Sequence, residues 1–362
     1  MKLPPQTGIW RHDYLLQPDI PTRFRLTLGE GRTEITALAV TRYRPLHLLR
    51  EDHNPTGSHK DRAMAFLVSL AQREATPGFV ISTSGNAGIS LAQYARAGGR
   101  KAVVLMKPGR NRAARLVAAA AGCPIMCGKP INYANAARRW YGLTDMRTSR
   151  HPQASQGYKT IAMAICESGL TIDSLFMFST SFATIMGIFE GYRYLHARFG
   201  LAVPRLYAVL GGDFHPFPVP PPGRRGNRHI QAWGRDGWHY IDSQGKAPAY
   251  DDALTIGGAC SRERFMRICR LLHSTGGGAV YVRSTCCREQ VDAALQHNRL
   301  APSLQSRLAL YAAQAFLHHG RVLRPLVVYS GSAPAGGAIS SAGFHAGNLS
   351  DLRRILREYF AQ

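Results

Sequence analysis

Residues 54–62 read Asn-Pro-Thr-Gly-Ser-His-Lys-Asp-Arg, and the reactive group among them is the amine of Lys60. Asn54-Pro55 and Thr56-Gly57 are turn-forming pairs. From Ala63 to Gln72 the pattern turns apolar and helix-friendly, which places Lys60 where a loop enters a helix. Such a position offers backbone N–H groups without helical partners and the positive end of the helix dipole. Cationic repulsion there lowers an amine's pKa and favours its neutral, nucleophilic form, as Schiff-base chemistry with an aldehyde cofactor requires. The same residues also suit an ordinary solvated loop lysine, and Lys60 alone does not choose between the two readings.

A second stretch, Gly78-Phe-Val-Ile-Ser-Thr-Ser-Gly-Asn-Ala-Gly-Ile-Ser90, reads as a short buried strand, a hydroxyl- and glycine-rich loop, and a helix from Ile89 to Ala97. Strand, polar loop and helix N-terminus together make an anion cradle. This one suits a carboxylate, with Asn86 offering an amide to a ring hydroxyl.

Together the two stretches resemble the fold-type II pyridoxal-phosphate (PLP) enzymes, and within them threonine synthase and its relatives. The resemblance rests on NPTGSHKDR at 54–62 and STSGNAG at 82–88. Leu28-Gly-Glu-Gly-Arg-Thr33 upstream and Gly157-Tyr-Lys-Thr-Ile-Ala162, similar to a GQKTIA segment, add to it. It implies that Lys60 is the Schiff-base lysine, that Asn86 meets the PLP 3-hydroxyl, and that Thr83, Ser84 and Gly85 hold the substrate carboxylate. It further implies two three-layer α/β/α domains with mostly parallel sheets, the cofactor in the cleft between them, and a homodimer. The expected division is a larger domain of 1–70 and 151–362 and a smaller, mobile one of 71–150.

The rest of the chain agrees with that class. Strands at 102–106 and 124–126 alternate with helices at 111–121 and 133–141, the pattern of a parallel α/β sheet. With 362 residues and 45% hydrophobic content the chain is long enough for two domains. No apolar run reaches the roughly 20 residues a membrane span needs, and prolines and charges fill the N-terminal stretch, so a cytoplasmic protein with no membrane partner is expected. The 45 Lys+Arg against 22 Asp+Glu give a net charge of +23. These charges are scattered without a nucleic-acid-binding signature, so a solvated basic surface is expected rather than a nucleic-acid partner. The seven cysteines match no metal spacing, and neither a metal nor a structural disulfide is expected.

Two places depart from the resembling family. The arginine that meets the substrate phosphate there aligns with Ala154, while Arg147 and Arg150 are displaced, which puts a phosphorylated substrate in question. The loop after the strand 175–178 is glycine-rich in the family but reads Ser179-Thr-Ser-Phe-Ala-Thr184 here, ahead of a helix from Ile185 to Leu195. Ser179, Thr180, Ser181, Phe182, Ala183 and Thr184 are nevertheless the expected cofactor-phosphate loop, with hydroxyls in place of glycine amides. Phe182 can equally obstruct it.

Residues 211–250 are Pro-, Gly- and Arg-rich and read as an atypical insertion, either a surface loop or a disordered linker. An amphipathic helix is expected at 262–272. Near the C-terminus the strand 326–329 leads to Ser330, which the resemblance places at the pyridine nitrogen and which otherwise reads as a helix N-cap. A hydroxyl there suits elimination and replacement better than transamination. The expected activity is therefore PLP-dependent β- or γ-elimination or replacement on a small anionic amino-acid substrate, threonine synthase-like. The alternatives are a β-replacement synthase of the cysteine, cysteate or diaminopropionate type and a non-catalytic fold relative that acts by binding.

Overall fold

The computed structural model describes residues 7–40, 45–211, 230–233, 238–241, 268, 270–282, 288–332 and 343–362. These fall into two compact units, each built on its own sheet.

The first unit comprises Met1–Arg32, His53–Thr160 and Pro334–Gln362, more of the chain than the 71–150 expected for a smaller domain. Its sheet contains β3 (Gly78–Ser82), β4 (Lys101–Met106), β5 (Cys123–Met126), β6 (Thr144–Asp145) and the C-terminal β13 (Phe344–His345). All its pairings are parallel, in the order β13-β5-β4-β3-β6. Strands β3, β4 and β5 are buried along nearly all their length, which is why they read as continuous apolar runs rather than alternating ones. The helices are α1 (Lys60–Arg73), α2 (Asn86–Ala97), α3 (Asn111–Ala119), α4 (Pro130–Tyr141) and the first turns of α5 (Ala154–Glu167). Pro130 opens α4 and Gly142, in the left-handed region, closes it. Between Glu74 and Asp145 the sequence contains no Asp or Glu.

The second unit, Thr33–Asp52 and Ile161–Ala333, contains an eight-stranded sheet. Its strands are β1 (Ile35–Leu38), β2 (Leu46–Leu49), β7 (Ser174–Phe178), β8 (Arg205–Gly211), β9 (Ile230–Trp233), β10 (Trp238–Ile241), β11 (Gly278–Val282) and β12 (Pro325–Val328). The order is β1-β2-β12-β7-β8-β11-β10-β9, with only β1–β2 and β9–β10 antiparallel. Helix α6 (Ala183–Phe199) follows β7, and α7 (Arg288–His297) and α8 (Leu304–His318) precede β12. A core of Phe176, Tyr207, Phe316 and Leu310 packs α8 on the sheet, with Phe176 and Tyr207 stacked at 4.6 Å.

One expectation for this unit changes. Residues 230–233 and 238–241 are neither loop nor linker but a β-hairpin that continues the sheet past β11. Pro and Gly signals around them concealed two four-residue strands with aromatic, β-prone composition. The expected helix at 262–272 begins largely outside the described residues. A C-terminal helix, α9 (Leu349–Ala361), was not anticipated, although a capping box between Asn348 and Asp351 announces it. Among the described residues no helix is long and apolar enough to cross a membrane.

Candidate active site

Open parallel sheets bind ligands outside the carboxyl ends of their strands. In the first unit that edge carries the loop after β3. Thr83 N–H donates to Leu105 O at 3.0 Å, and Gly85 N–H donates to the Thr83 hydroxyl at 3.1 Å. Gly85 occupies the cap of α2 at φ 154°, ψ −85°, a combination that favours glycine. Asn86 is the first residue of α2 rather than part of the loop, and its side chain and that of Ser84 are exposed. The Thr83 hydroxyl, the Asn86 amide and the start of α2 therefore share one place.

Lys60 likewise sits inside a helix, as the first residue of α1. Its side chain is half-buried, and its Nζ lies 3.4 Å from the Tyr158 hydroxyl. Burial lowers its pKa to about 8. The direction is the one expected, but the cause is desolvation rather than repulsion by the helix end.

The loop that presents Lys60 is closed by Asp61. Its carboxylate accepts from Thr56 N–H at 2.7 Å, from the Thr56 hydroxyl, and from Ser90 Oγ of α2 at 2.6 Å. One carboxylate thus ties the lysine loop to the helix that starts at Asn86. Burial raises the pKa of Asp61 to about 6, against the pull of those hydrogen bonds. Two residues before the lysine, Ser58 is fully buried and its Oγ has no hydrogen-bond partner.

The Leu28–Thr33 segment supports this arrangement from behind. Glu30 accepts from Ile9 and Leu28 amides, the Thr27 hydroxyl and the Tyr94 hydroxyl, the last at 2.6 Å. Gly31 N–H donates to Asn54 Oδ1 at 2.8 Å and so fixes the start of the lysine loop. From the other direction α5 crosses α1 at Gly157, where an added Cβ would lie 1.9 Å from the Arg62 carbonyl oxygen. Arg62 Nη1 donates to Thr160 Oγ1 at 2.9 Å one turn further on. Tyr158, between these two contacts, was missed as a site residue. The signal was present, because the resembling GQKTIA segment carries glutamine where this chain carries tyrosine.

In the second unit, β7 and β12 are parallel neighbours, with Leu175 beside Leu326. Their carboxyl ends bring residues 179–182 and Ser330 to one edge of the sheet. Residues 179–182 form the loop, whereas Ala183 and Thr184 belong to the first turn of the 17-residue α6. The first amides of such a helix have no intrahelical acceptors. Ser179 Oγ is buried without a partner, and Ser181 and Thr184 are also buried. Phe182 takes the cap position in the left-handed region at φ 61°, and its ring is fully buried rather than exposed.

Ser330 is not a helix N-cap. Its N–H donates to Ser306 Oγ at 3.1 Å, and the two hydroxyls lie 3.2 Å apart. The cap of α8 is Ser303, whose Oγ accepts from Ser306 N–H. Ser306 is a second residue that nothing in its local pattern singles out.

In the first unit the orphaned Ser58 hydroxyl, the poised Lys60 amine and the glycine-capped α2 loop fit a ligand that brings an aldehyde and an anionic group; in the second unit the orphaned Ser179 hydroxyl at the start of α6 fits an anionic group. The comparisons identify the ligand. The sequence profile described as pyridoxal-phosphate dependent enzyme matches residues 26–329. The chain belongs to that family, and its cofactor is pyridoxal 5′-phosphate. Its similarity to threonine synthase of Halalkalibacterium halodurans is 26% identity over 195 residues, 50% of this chain and 54% of that protein. Threonine synthase of Methanocaldococcus jannaschii is 31% identical over 175 residues, 45% of this chain and 42% of that protein. These alignments thus span about half the length of each relative or less.

Among solved structures, O-ureido-L-serine synthase superposes with a TM-score of 0.59 at 19% identity, covering 84% of this chain and 89% of that one. A pyridoxal 5′-phosphate-dependent aspartate racemase superposes with a TM-score of 0.63 at 14% identity, covering 84% and 91%. These likenesses establish the fold.

Proposed function

We propose that the protein catalyses β- or γ-elimination or replacement on an amino-acid substrate, in the manner of threonine synthase. The observation that carries this reading is Lys60, held at the start of α1 with its pKa near 8. An amine so poised both attacks an aldehyde and accepts a proton near neutral pH. Bound PLP supplies an electron sink for the charge that develops at the substrate Cα. The chain's own residues do the rest. Lys60 anchors the cofactor and takes the α-proton at Nζ. Asn86 meets the ring hydroxyl, and Thr83, Ser84 and Gly85 hold the carboxylate. Ser179, Thr180, Ser181, Phe182, Ala183 and Thr184 form the phosphate loop at the start of α6, and Ser330 receives the ring nitrogen.

One observation favours a second reading, a β-replacement synthase acting on a substrate without a phosphate. Ala154 is buried where the family's phosphate-binding arginine aligns. Arg147, a displaced candidate, is engaged with Asp145 and donates to Asn135 Oδ1 at 3.1 Å.

The test is the visible spectrum of the protein reconstituted with PLP, with Lys60→Ala alongside. A yellow band in the wild type that the variant lacks supports the lysine assignment. A protein that stays colourless with added PLP sinks it. Turnover of O-phospho-L-homoserine then supports the threonine synthase reading, and turnover of O-acetyl- or O-phospho-L-serine supports the second.

A further inference from the structure

The contact between Tyr158 and Lys60 has no part in the reading above. Tyr158 is fully buried, its hydroxyl is 3.4 Å from Lys60 Nζ, and that nitrogen lies 5.5 Å from the centre of its ring. The phenol has little freedom to move away. The His59 ring lies against it at 5.6 Å, tilted by 39°. Gly157, immediately before it, is pressed on the Arg62 carbonyl so closely that no side chain fits. The Arg62–Thr160 hydrogen bond fixes the helix two residues beyond.

We propose that Tyr158 is a positioning residue that receives the ε-ammonium of Lys60 whenever the lysine is detached from the cofactor, and that it decides how readily that amine is protonated. This rests on the reading of Lys60 as cofactor anchor and base. When Lys60 takes a proton from the substrate Cα, the proton resides on Nζ, and an ammonium forms in a half-buried place. Two features of one side chain favour that ion there: the hydroxyl oxygen accepts an N–H, and the ring face attracts the cation. Burial alone disfavours it. Tyr158 therefore sets the balance between the neutral amine and the ammonium. A glutamine, the residue of the resembling segment, offers an acceptor oxygen without the ring.

The test titrates Lys60 in the protein free of cofactor, by the pH dependence of its acetylation rate with trace reagent, read on the Lys60 peptide by mass spectrometry. The wild-type midpoint is expected near pH 8. In Tyr158→Phe the ring and the burial remain but the acceptor is lost, so the midpoint falls by roughly 0.5–1 pH unit. Tyr158→Gln restores it towards the wild-type value. Tyr158→Met, which removes ring and hydroxyl together, lowers it at least as far as Phe and covers the case in which the Phe variant fails to fold. A folded Phe or Met variant with an unshifted midpoint overturns the proposal. Because the titration needs no cofactor, a wild-type protein that takes up no PLP counts against the anchor reading and leaves this result to be judged separately.

Discussion

Two helices of this protein begin in the same way and are stabilised in opposite ways. Both α2 and α6 follow a buried parallel strand through a short hydroxyl-rich loop at the carboxyl edge of a sheet. At the cap of α2 stands Gly85, in a backbone conformation that glycine adopts without strain. At the cap of α6 stands Phe182, a bulky residue at φ 61°, where a side chain costs of order 1–3 kcal/mol. The α2 loop is further tied to α1 through Asp61 and Ser90, whereas the α6 loop is held by the buried Phe182 ring. Glycine is thus one route to a tight loop before a helix. The other is a strained residue whose side chain the core refuses to release. In the second the backbone is fixed by the buried ring, and the Ser179 hydroxyl beside it is left without a partner.

The largest effect that can break this comparison comes from Phe182. Phe182→Ala should lower the unfolding free energy by about 3–5 kcal/mol, the cost of a lost buried ring. Phe182→Gly should lose about 1 kcal/mol less, reversing the usual penalty of glycine, because it removes the left-handed strain. Urea denaturation of both variants checks this, and a glycine variant less stable than the alanine one shows that the ring's conformation is unstrained.

Next comes the tie that only α2 possesses. The Asp61 carboxyl titrates near 6 when folded and near 4 when unfolded, so the folded protein binds more protons in that interval. Its contribution to stability is therefore fully present below about pH 4 and is lost as pH rises through 6, a change on the order of 3 kcal/mol. Measured between pH 4 and 7, the difference in unfolding free energy between wild type and Asp61→Asn should change by that order, the wild type losing ground as pH rises.

Gly85→Ala should cost about 1–3 kcal/mol through backbone strain, by thermal melting, and should weaken substrate binding because the loop must shift. The smallest effect on stability belongs to Ser179→Ala. Its hydroxyl has no partner to lose, so unfolding of the cofactor-free protein should change by less than about 0.5 kcal/mol. Cofactor affinity, read by absorbance titration, should fall by about 10-fold or more if that hydroxyl meets the phosphate. Equal affinity in the two proteins removes Ser179 from the cradle.

Much of this was legible in the sequence because it depends on local chemistry. The lysine loop, the asparagine loop and the strand before α6 carry turn residues, buried runs and helix starts in contiguous order. Strands β3, β4, β7 and β12 end within a residue or two of where their apolar runs end. Sequence order does not reveal pairs that meet only through packing. Tyr158 lies 98 positions from Lys60, and Ser306 lies 24 from Ser330. Nor does it show that Asp61 faces both Thr56 and Ser90, because spacing along a loop does not fix the direction of a carboxylate. The β9–β10 hairpin was illegible for a further reason: four-residue strands among prolines, glycines and arginines have too little length for alternation to register.

The acid-free stretch between Glu74 and Asp145 has a consequence for how the protein behaves as a colloid. It carries Arg96, Arg100, Lys101, Lys107, Arg110, Arg112, Arg115, Lys129, Arg138 and Arg139 with no carboxylate among them. Like charges gathered in one run repel one another, and dissolved ions screen that repulsion. As ionic strength rises from 0.01 to 0.15 M the screening length contracts from about 30 to about 8 Å, shorter than the span of a small sheet. The repulsion along this stretch is therefore a variable of the surrounding electrolyte, strongest in dilute buffer.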